Sequence, residues 1–346
     1  MTAQLLGLAT GVPPHPLPTA EVVAEAATVF AGRGGDFERL VPVFANTGID
    51  CRYSVRPYDW FREDKGWPER SAAYVEGAEQ LFRDVSNAAL AKAGRTARDV
   101  DTIITVSSTG IATPSIEARV MHDMGFRSTA RRIPVFGLGC AGGATGLALA
   151  ADLAQATPGS VVLLVVIELC TLAFRSDELT PSNIVATALF GDGAAAAVLS
   201  SRGDGLAAFE HSGEHCWPGS TDVMGWRIDP NGFGAIFSRS IPDLVENDLR
   251  PVVDTFLTQR SLGLADMANF TFHPGGAKVI TALERAFGLD QGSLAAERDV
   301  LRRFGNMSAP TVLFVLEQAL RQPSSGRRFL SALGPGFTAS FLTMLQ

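Results

Sequence analysis

The sequence predicts an α/β protein made of two similar halves that share one body. Three observations carry this. Apolar strand-like runs alternate with helix-like stretches along most of the 346 residues. The runs are continuously apolar, which marks a sheet covered on both faces. The two parts of the chain also echo one another: VDTIITVSSTG resembles MANFTFHPGG, and ALFGDGAAAAVL (188–199) resembles ALGPGFTASFL (332–342) in a loose Gly-x-Gly register.

The elements follow in order. VDTIITVSS (100–108) reads as a buried strand and SIEARVMHDMGF as a helix. RIPVFGLG is a strand, and AGGATGLALAADLAQA a helix of small residues. SVVLLVVIE and AAAAVLSS (194–201) are strands, with Phe190-Gly191-Asp192-Gly193 as a tight turn before the second. After residue 203 the chain turns rich in Gly, aromatics and turn signals such as Asp229-Pro230-Asn231-Gly232. A helix is expected at 242–262. NFTFHPGG, AKVITALERAF, SAPTVLFVLEQAL, RRFLSALGPG and FTASFLTML then restore the strand and helix alternation. No linker interrupts the chain, so the expected halves, 1–203 and 204–346, share a compact body.

With 46% hydrophobic residues the chain can bury a large core. A formal net charge of −7 disfavours nucleic acid or anionic membranes as partners. No signal peptide is visible, and SVVLLVVIE is too short to span a bilayer. The four cysteines, Cys51, Cys140, Cys170 and Cys216, show no pairing pattern. A reducing compartment, the cytoplasm, is expected.

Three residues stand where chemistry is done. Cys140, in VFGLGCAGG, ends a strand and turn and opens a helix. Backbone N–H groups at a helix start favour negative charge, so a thiol there gains thiolate character. Cysteine is also a small residue that is often simply buried. The same stretch matches G-x-G-x-x-G through Gly137, Gly139 and Gly142, and Glu168 ends the next strand, as a dinucleotide site would require. His273 lies at a strand tip before Pro-Gly-Gly, in a chain with five histidines. Asn306, in FGNMSAPTVLFVL, precedes an apolar helix, where it is either an N-cap or an amide donor facing a cleft. The run His211 to Cys216, HSGEHC, lacks a fourth ligand nearby, and no metal is expected.

Cys140 in GLGCAGG, His273 in FHPGGAK and Asn306 in GNMSAPTVLFVL together resemble the type III polyketide synthases, the chalcone synthase-like family in its bacterial form. ALFGDGAAA, GPG (334–336) and NTGIDCRY (46–53) extend the resemblance over nearly the whole chain, in order. The resemblance implies a thiolase-like fold, with duplicated βαβαβαββ halves in a five-layered αβαβα body, and a homodimer. It implies that Cys140 takes the acyl group of a starter acyl-CoA. His273 pairs with the thiolate, and His273 and Asn306 stabilise the enolate formed when malonyl-CoA loses CO2. Repeated extension and cyclisation follow. CoA thioesters are substrates, and no further cofactor is implied.

The resemblance also implies a pocket. Phe190 matches an aromatic gate, and Ala235 falls where a second gate phenylalanine is usual, between Phe233 and Phe237. Thr113, Cys170, Ala173, Ser308, Gly334, Pro335 and Gly336 fall where the family shapes its cavity, and the small Cys170 and Ala173 favour a long acyl chain. Arg39, Arg52 and Lys278 are candidates for the CoA phosphates. Three rivals are a β-ketoacyl synthase III-like enzyme making one condensation, a nicotinamide-dependent oxidoreductase, and a non-catalytic binding relative.

Overall fold

The computed structural model describes residues 2–30, 37, 41–322 and 324–346. The chain begins with strands β1 (Gln4–Gly11) and β2 (His15–Pro18), helices α1 (Thr19–Phe30) and α2 (Val41–Ala45), β3 (Cys51–Ser54), and helices α3 (Tyr58–Arg62) and α4 (Trp67–Lys92). β4 (Thr102–Val106), α5 (Ile116–Val120), β5 (Arg131–Val135), α6 (Gly142–Ala156), β6 (Val161–Leu169), α7 (Pro181–Leu189) and β7 (Asp192–Ser200) follow. The remainder is β8 (Ala207–Cys216), β9 (Met224–Asp229), β10 (Gly232–Phe237), α8 (Ile241–Thr258), β11 (Asn269–Phe272), α9 (Ala277–Phe287), α10 (Ala295–Phe304), α11 (Thr311–Leu320), β12 (Arg327–Gly334) and β13 (Thr338–Leu345).

Nine strands form one sheet in the order β11-β12-β13-β8-β1-β7-β6-β4-β5. The pairing repeats. β6 runs parallel to β4 and antiparallel to β7, which is antiparallel to β1. β12 runs parallel to β11 and antiparallel to β13, which is antiparallel to β8. Within the main sheet the two parts join where Gln4 and Leu5 pair with Ala208 and Ala207, so the sheet folds at that corner. α6 fills the fold, touching β4, β6 and β7 on one side and β8, β12 and β13 on the other. α11 lies beside it. α4 covers the outer face of β1, β6 and β7, and α8 and α9 cover the far side of the C-terminal strands. The result is five layers, helix, sheet, helix, sheet, helix, as the thiolase-like expectation required.

Small residues let α6 sit between two sheets. A Cβ added at Gly143 would lie 2.3 Å from the Ala309 carbonyl oxygen, and one at Gly142 would lie 2.8 Å from Val106 Cγ1. Two local expectations change. Asp192 and Gly193 belong to β7 rather than to a turn before it. The Asp192 carboxylate is buried and accepts hydrogen bonds from Val55 N (2.9 Å), Thr171 N (2.7 Å) and Thr171 Oγ1 (2.7 Å). Asn306 is not an N-cap, because α11 begins at Thr311 behind Pro310.

Candidate active site

Cys140 lies in a single 3-10 turn, Gly139–Ala141, that runs into α6. The turn is held from behind. Ser108 Oγ accepts the N–H groups of Gly137 (3.2 Å) and Gly139 (3.1 Å). Ser108 is fixed in turn by Glu168, whose carboxylate accepts Ser108 N at 3.1 and 2.9 Å and Thr109 Oγ1 at 2.7 Å. Glu168 is fully buried, and burial pushes its carboxyl up to about 8. It therefore faces the nucleophile turn and offers nothing to a ribose. Gly142 abuts Val106 and Ala309, which leaves no room there for a pyrophosphate. Gly137 and Gly139 take positive φ, 95° and 47°. The glycine pattern serves backbone shape and close packing.

The Cys140 thiol is buried and lies 3.4 Å from Ser308 Oγ. Ser308 has φ 59° and donates its N–H to Asn306 Oδ1 at 2.8 Å. Asn306 Nδ2 donates to the Gly275 carbonyl at 3.1 Å. Gly275 N donates to the His273 carbonyl at 3.0 Å, and His273 N to Ser331 O on β12 at 3.0 Å. A continuous chain of contacts thus joins the three residues. His273 is buried, and neither ring nitrogen has a partner among the described residues. Burial pushes the Cys140 thiol up to about 12 and the His273 imidazole down to about 3. Burial thus works against charge on both groups, and Sγ has Ser308 Oγ rather than an imidazole nitrogen as its hydrogen-bond partner.

An apolar cavity enclosing about 700 Å³, its opening included, lies next to this site. Cys170, Ala173 and Phe174 form one wall, α1 another, and Phe190 and Trp226 a third. None of Cys140, His273 and Asn306 lines it. Phe190 stands at the junction, since its backbone bridges to Asn306 and Gly191 N donates to Asn306 O at 3.0 Å. Its ring centroid lies 5.9 Å from Trp226 and 5.6 Å from Phe237. Ala235 does not line the cavity. Its cross-strand partner in the β9–β10 ribbon is Trp226, whose ring stands there instead.

The chain matches the family model for the chalcone and stilbene synthases, with the N-terminal domain at residues 66–203 and the C-terminal domain at 209–343. The chain belongs to the chalcone and stilbene synthase family. It is 36% identical to a putative chalcone synthase of Bacillus subtilis (strain 168), covering 98% of each chain. It is 34% identical to the 1,3,6,8-tetrahydroxynaphthalene synthase of Streptomyces peucetius subsp. caesius, covering 97% of this chain and 91% of that one. Its structure superposes on the tetrahydroxynaphthalene synthase of Streptomyces coelicolor A3(2), a bacterial type III polyketide synthase, with a TM-score of 0.93, 28% identity and 99% of each chain covered. The protein is a type III polyketide synthase, an acyltransferase of the thiolase-like fold.

Other expected site residues of this synthase divide. Cys170 and Ala173 line the cavity. Gly334 and Pro335 press on the nucleophile turn: a Cβ at Gly334 would lie 2.5 Å from Leu138 O, and one at Gly139 2.5 Å from Pro335 Cδ. Gly336 turns away, its carbonyl accepting from Cys216 Sγ (3.0 Å) and Ser220 Oγ (2.8 Å). Thr113 is exposed in the loop after β4 and does not line the cavity of its own chain. Arg52 is no surface cation. It is buried, and its guanidinium donates to the carbonyls of Thr187 and of Phe190 (3.0 Å), bracing the gate rather than reaching for a phosphate. Lys278 is exposed at the start of α9, and Arg39 lies outside the described residues. HSGEHC lies on β8, with the His215 ring against Trp217. Sequence reasoning missed Ser108, the framing role of Glu168, and Trp226. The one legible signal was Glu168, an acid ending an otherwise apolar strand.

Proposed function

We propose that Cys140, His273 and Asn306 carry iterative decarboxylative condensation of malonyl-CoA onto a starter acyl group, and that the starter is a fatty acyl chain held in the apolar cavity. The observation that supports this best is the contact chain from Cys140 through Ser308 and Asn306 to Gly275 and His273, set against that cavity. The ring nitrogens of His273 have no partner among the described residues, which leaves one free to take a proton. It accepts the thiol proton as Cys140 Sγ attacks the starter thioester, and CoA leaves as its thiol. Malonyl-CoA then loses CO2, and the electron pair of the broken C–C bond becomes the acetyl-CoA enolate. The Asn306 amide and His273 donate to the enolate oxygen. The enolate carbon attacks the acyl-Cys140 carbonyl and expels the thiolate, leaving a chain two carbons longer. Further rounds and ring closure give a pyrone, resorcinol or related product.

The cavity favours a long apolar starter because its walls are mostly hydrocarbon and small residues, Cys170 and Ala173 among them, line it with Phe190. Lys278, exposed at the start of α9 close behind His273, is proposed for a CoA phosphate. We also propose a cytoplasmic homodimer. Among the described residues no helix is long and apolar enough to cross a membrane, and all four cysteines are free. β5 is an edge strand with exposed residues, and Phe136 and Ile111 stand exposed at the same end of β5 and β4. The division into halves at residue 203 rests on the repeated strand pairing.

The deciding experiment is product mass spectrometry with malonyl-CoA and a panel of acyl-CoA starters, with Cys140→Ala as control. Products extended by two or more ketide units on long starters, absent in the variant, are expected. A single extension favours the fatty-acid-type synthase. Full activity on malonyl-CoA alone, with long acyl-CoAs only inhibiting, ends the fatty-starter reading.

A further inference from the structure

The β9–β10 ribbon supplies Trp226 to the cavity, yet it pairs with no strand of the main sheet. An isolated two-stranded ribbon is marginal alone. What holds it in place therefore decides where the Trp226 wall stands. Near its turn the ribbon is tied to the rest of the chain by Arg175, beside Trp67 Nε1 on Asp229 O and the Arg227–Glu178 pair at 3.0 Å. Arg175 follows directly on the Ala173 and Phe174 wall of the same cavity.

Arg175 is 6% exposed and its guanidinium holds two carboxylates at once. Nε and Nη2 donate to the two oxygens of Asp177 at 2.7 Å each. Nη1 donates to both oxygens of Asp229, the last residue of β9, at 2.9 Å. The planar fork suits such a double grip, and a lysine ammonium does not. The lock is closed from several sides. Asn231, in the ribbon turn, donates its side-chain amide to Asp177 at 2.9 Å and its backbone N–H to Asp229 at 2.9 Å. Trp67 Nε1 donates to Asp229 O at 2.9 Å. Asn183 Nδ2 holds the Arg175 carbonyl at 2.7 Å. The Arg175 hydrogen bonds keep Asp177 ionised, down at about 2.

We propose that Arg175 is a positioning residue that, through Asp229, fixes the Trp226 wall against the Cys170–Phe174 wall and so sets which starter chains the synthase accepts. Arg175 touches no reacting atom. It ties two cavity walls that are more than fifty residues apart in sequence, so loosening it changes the width between them without altering Cys140, His273 or Asn306. The proposal rests on the reading that this cavity holds the starter chain.

The test uses Asp229→Asn in the full-length protein, which keeps the shape of the side chain and removes its charge. Arg175→Lys is the second variant if Asp229→Asn does not yield folded protein. Two readouts are taken. One is the ratio of KM values for long and short acyl-CoA starters. The other is acrylamide quenching of Trp226 fluorescence, obtained by subtracting a Trp226→Phe background from the signal of the four tryptophans. The expected result is a shift in the KM ratio of about tenfold, with kcat on a short starter nearly unchanged and quenching of Trp226 increased. An unchanged ratio overturns the proposal, even if the variant melts at a lower temperature. A changed ratio with unchanged quenching also overturns it, because the effect then does not pass through Trp226. Wild-type protein that does not discriminate among starters fails the starter reading itself, and the selectivity role with it. Wild-type discrimination that Asp229→Asn leaves intact fails the Arg175 role alone.

Discussion

At Cys140 and His273, burial works against charge on both groups. Burial raises the thiol to about 12 and lowers the imidazole to about 3, so it disfavours opposite charges on the two groups. Ser308 Oγ, and no imidazole nitrogen, is the partner of Sγ. We propose that the thiol is activated during attack, with His273 as acceptor, rather than beforehand. This predicts how the free enzyme reacts with an alkylating agent. Below its pKa a thiol gains about tenfold more thiolate per pH unit. Iodoacetamide labelling of Cys140, followed by mass spectrometry, should be slow at pH 6 and keep rising through pH 8. A rate that levels off below pH 7 would mean that an ion pair exists in solution. The sign for His273 is separate. Its folded pKa lies below the ordinary value, so it stays neutral down to about pH 3, and kcat/KM should show no acid limb near pH 6.5 from this group.

At the scale of elements, α6 and α11 decide whether the site closes. They come from different halves and approach so tightly that a methyl group at Gly143 would meet the Ala309 carbonyl at 2.3 Å. Ala309 follows Ser308, so the strain would reach Asn306 and Cys140. Gly143→Ala should cost about 1–3 kcal/mol in urea unfolding, the usual effect of overpacking, and should lower kcat more than it raises KM for malonyl-CoA. Intact activity would show that the helices can separate without cost. The same elements show why some of the site was legible in the sequence and some was not. Cys140, His273 and Asn306 each stand at the end of an apolar strand or the start of an apolar helix, and those boundaries are marked by local residues. Trp226 was not legible, because its place depends on the register of a hairpin whose turn is Pro230-Asn231 and on Arg175 far away in the chain. Arg52 misled for a different reason. Arginine is rarely buried, and only the fold brings it under the carbonyls of Thr187 and Phe190.

At the scale of the whole molecule, one end of the main sheet stands out. The main sheet ends at β5, where Arg131 and Arg132 are exposed, and the chain continues into Phe136, which is 54% exposed. Ile111, after the neighbouring parallel strand β4, is 56% exposed. A sheet edge with free N–H and C=O groups beside apolar side chains invites pairing with another strand, and soluble proteins normally cover such an edge. We propose that a second copy of this chain, its β5 against this one, covers both edges by symmetry. Phe136 lies four residues before Cys140, so such pairing would also steady the turn that carries the nucleophile. Wild-type protein should sediment as a dimer at micromolar concentration. Phe136→Asp places a charge at that edge without touching the core of either half. It should shift the protein toward monomer and lower kcat, while far-ultraviolet circular dichroism stays the same. A wild-type protein that sediments as a monomer ends the dimer proposal. A Phe136→Asp variant that stays dimeric moves the interface to another face.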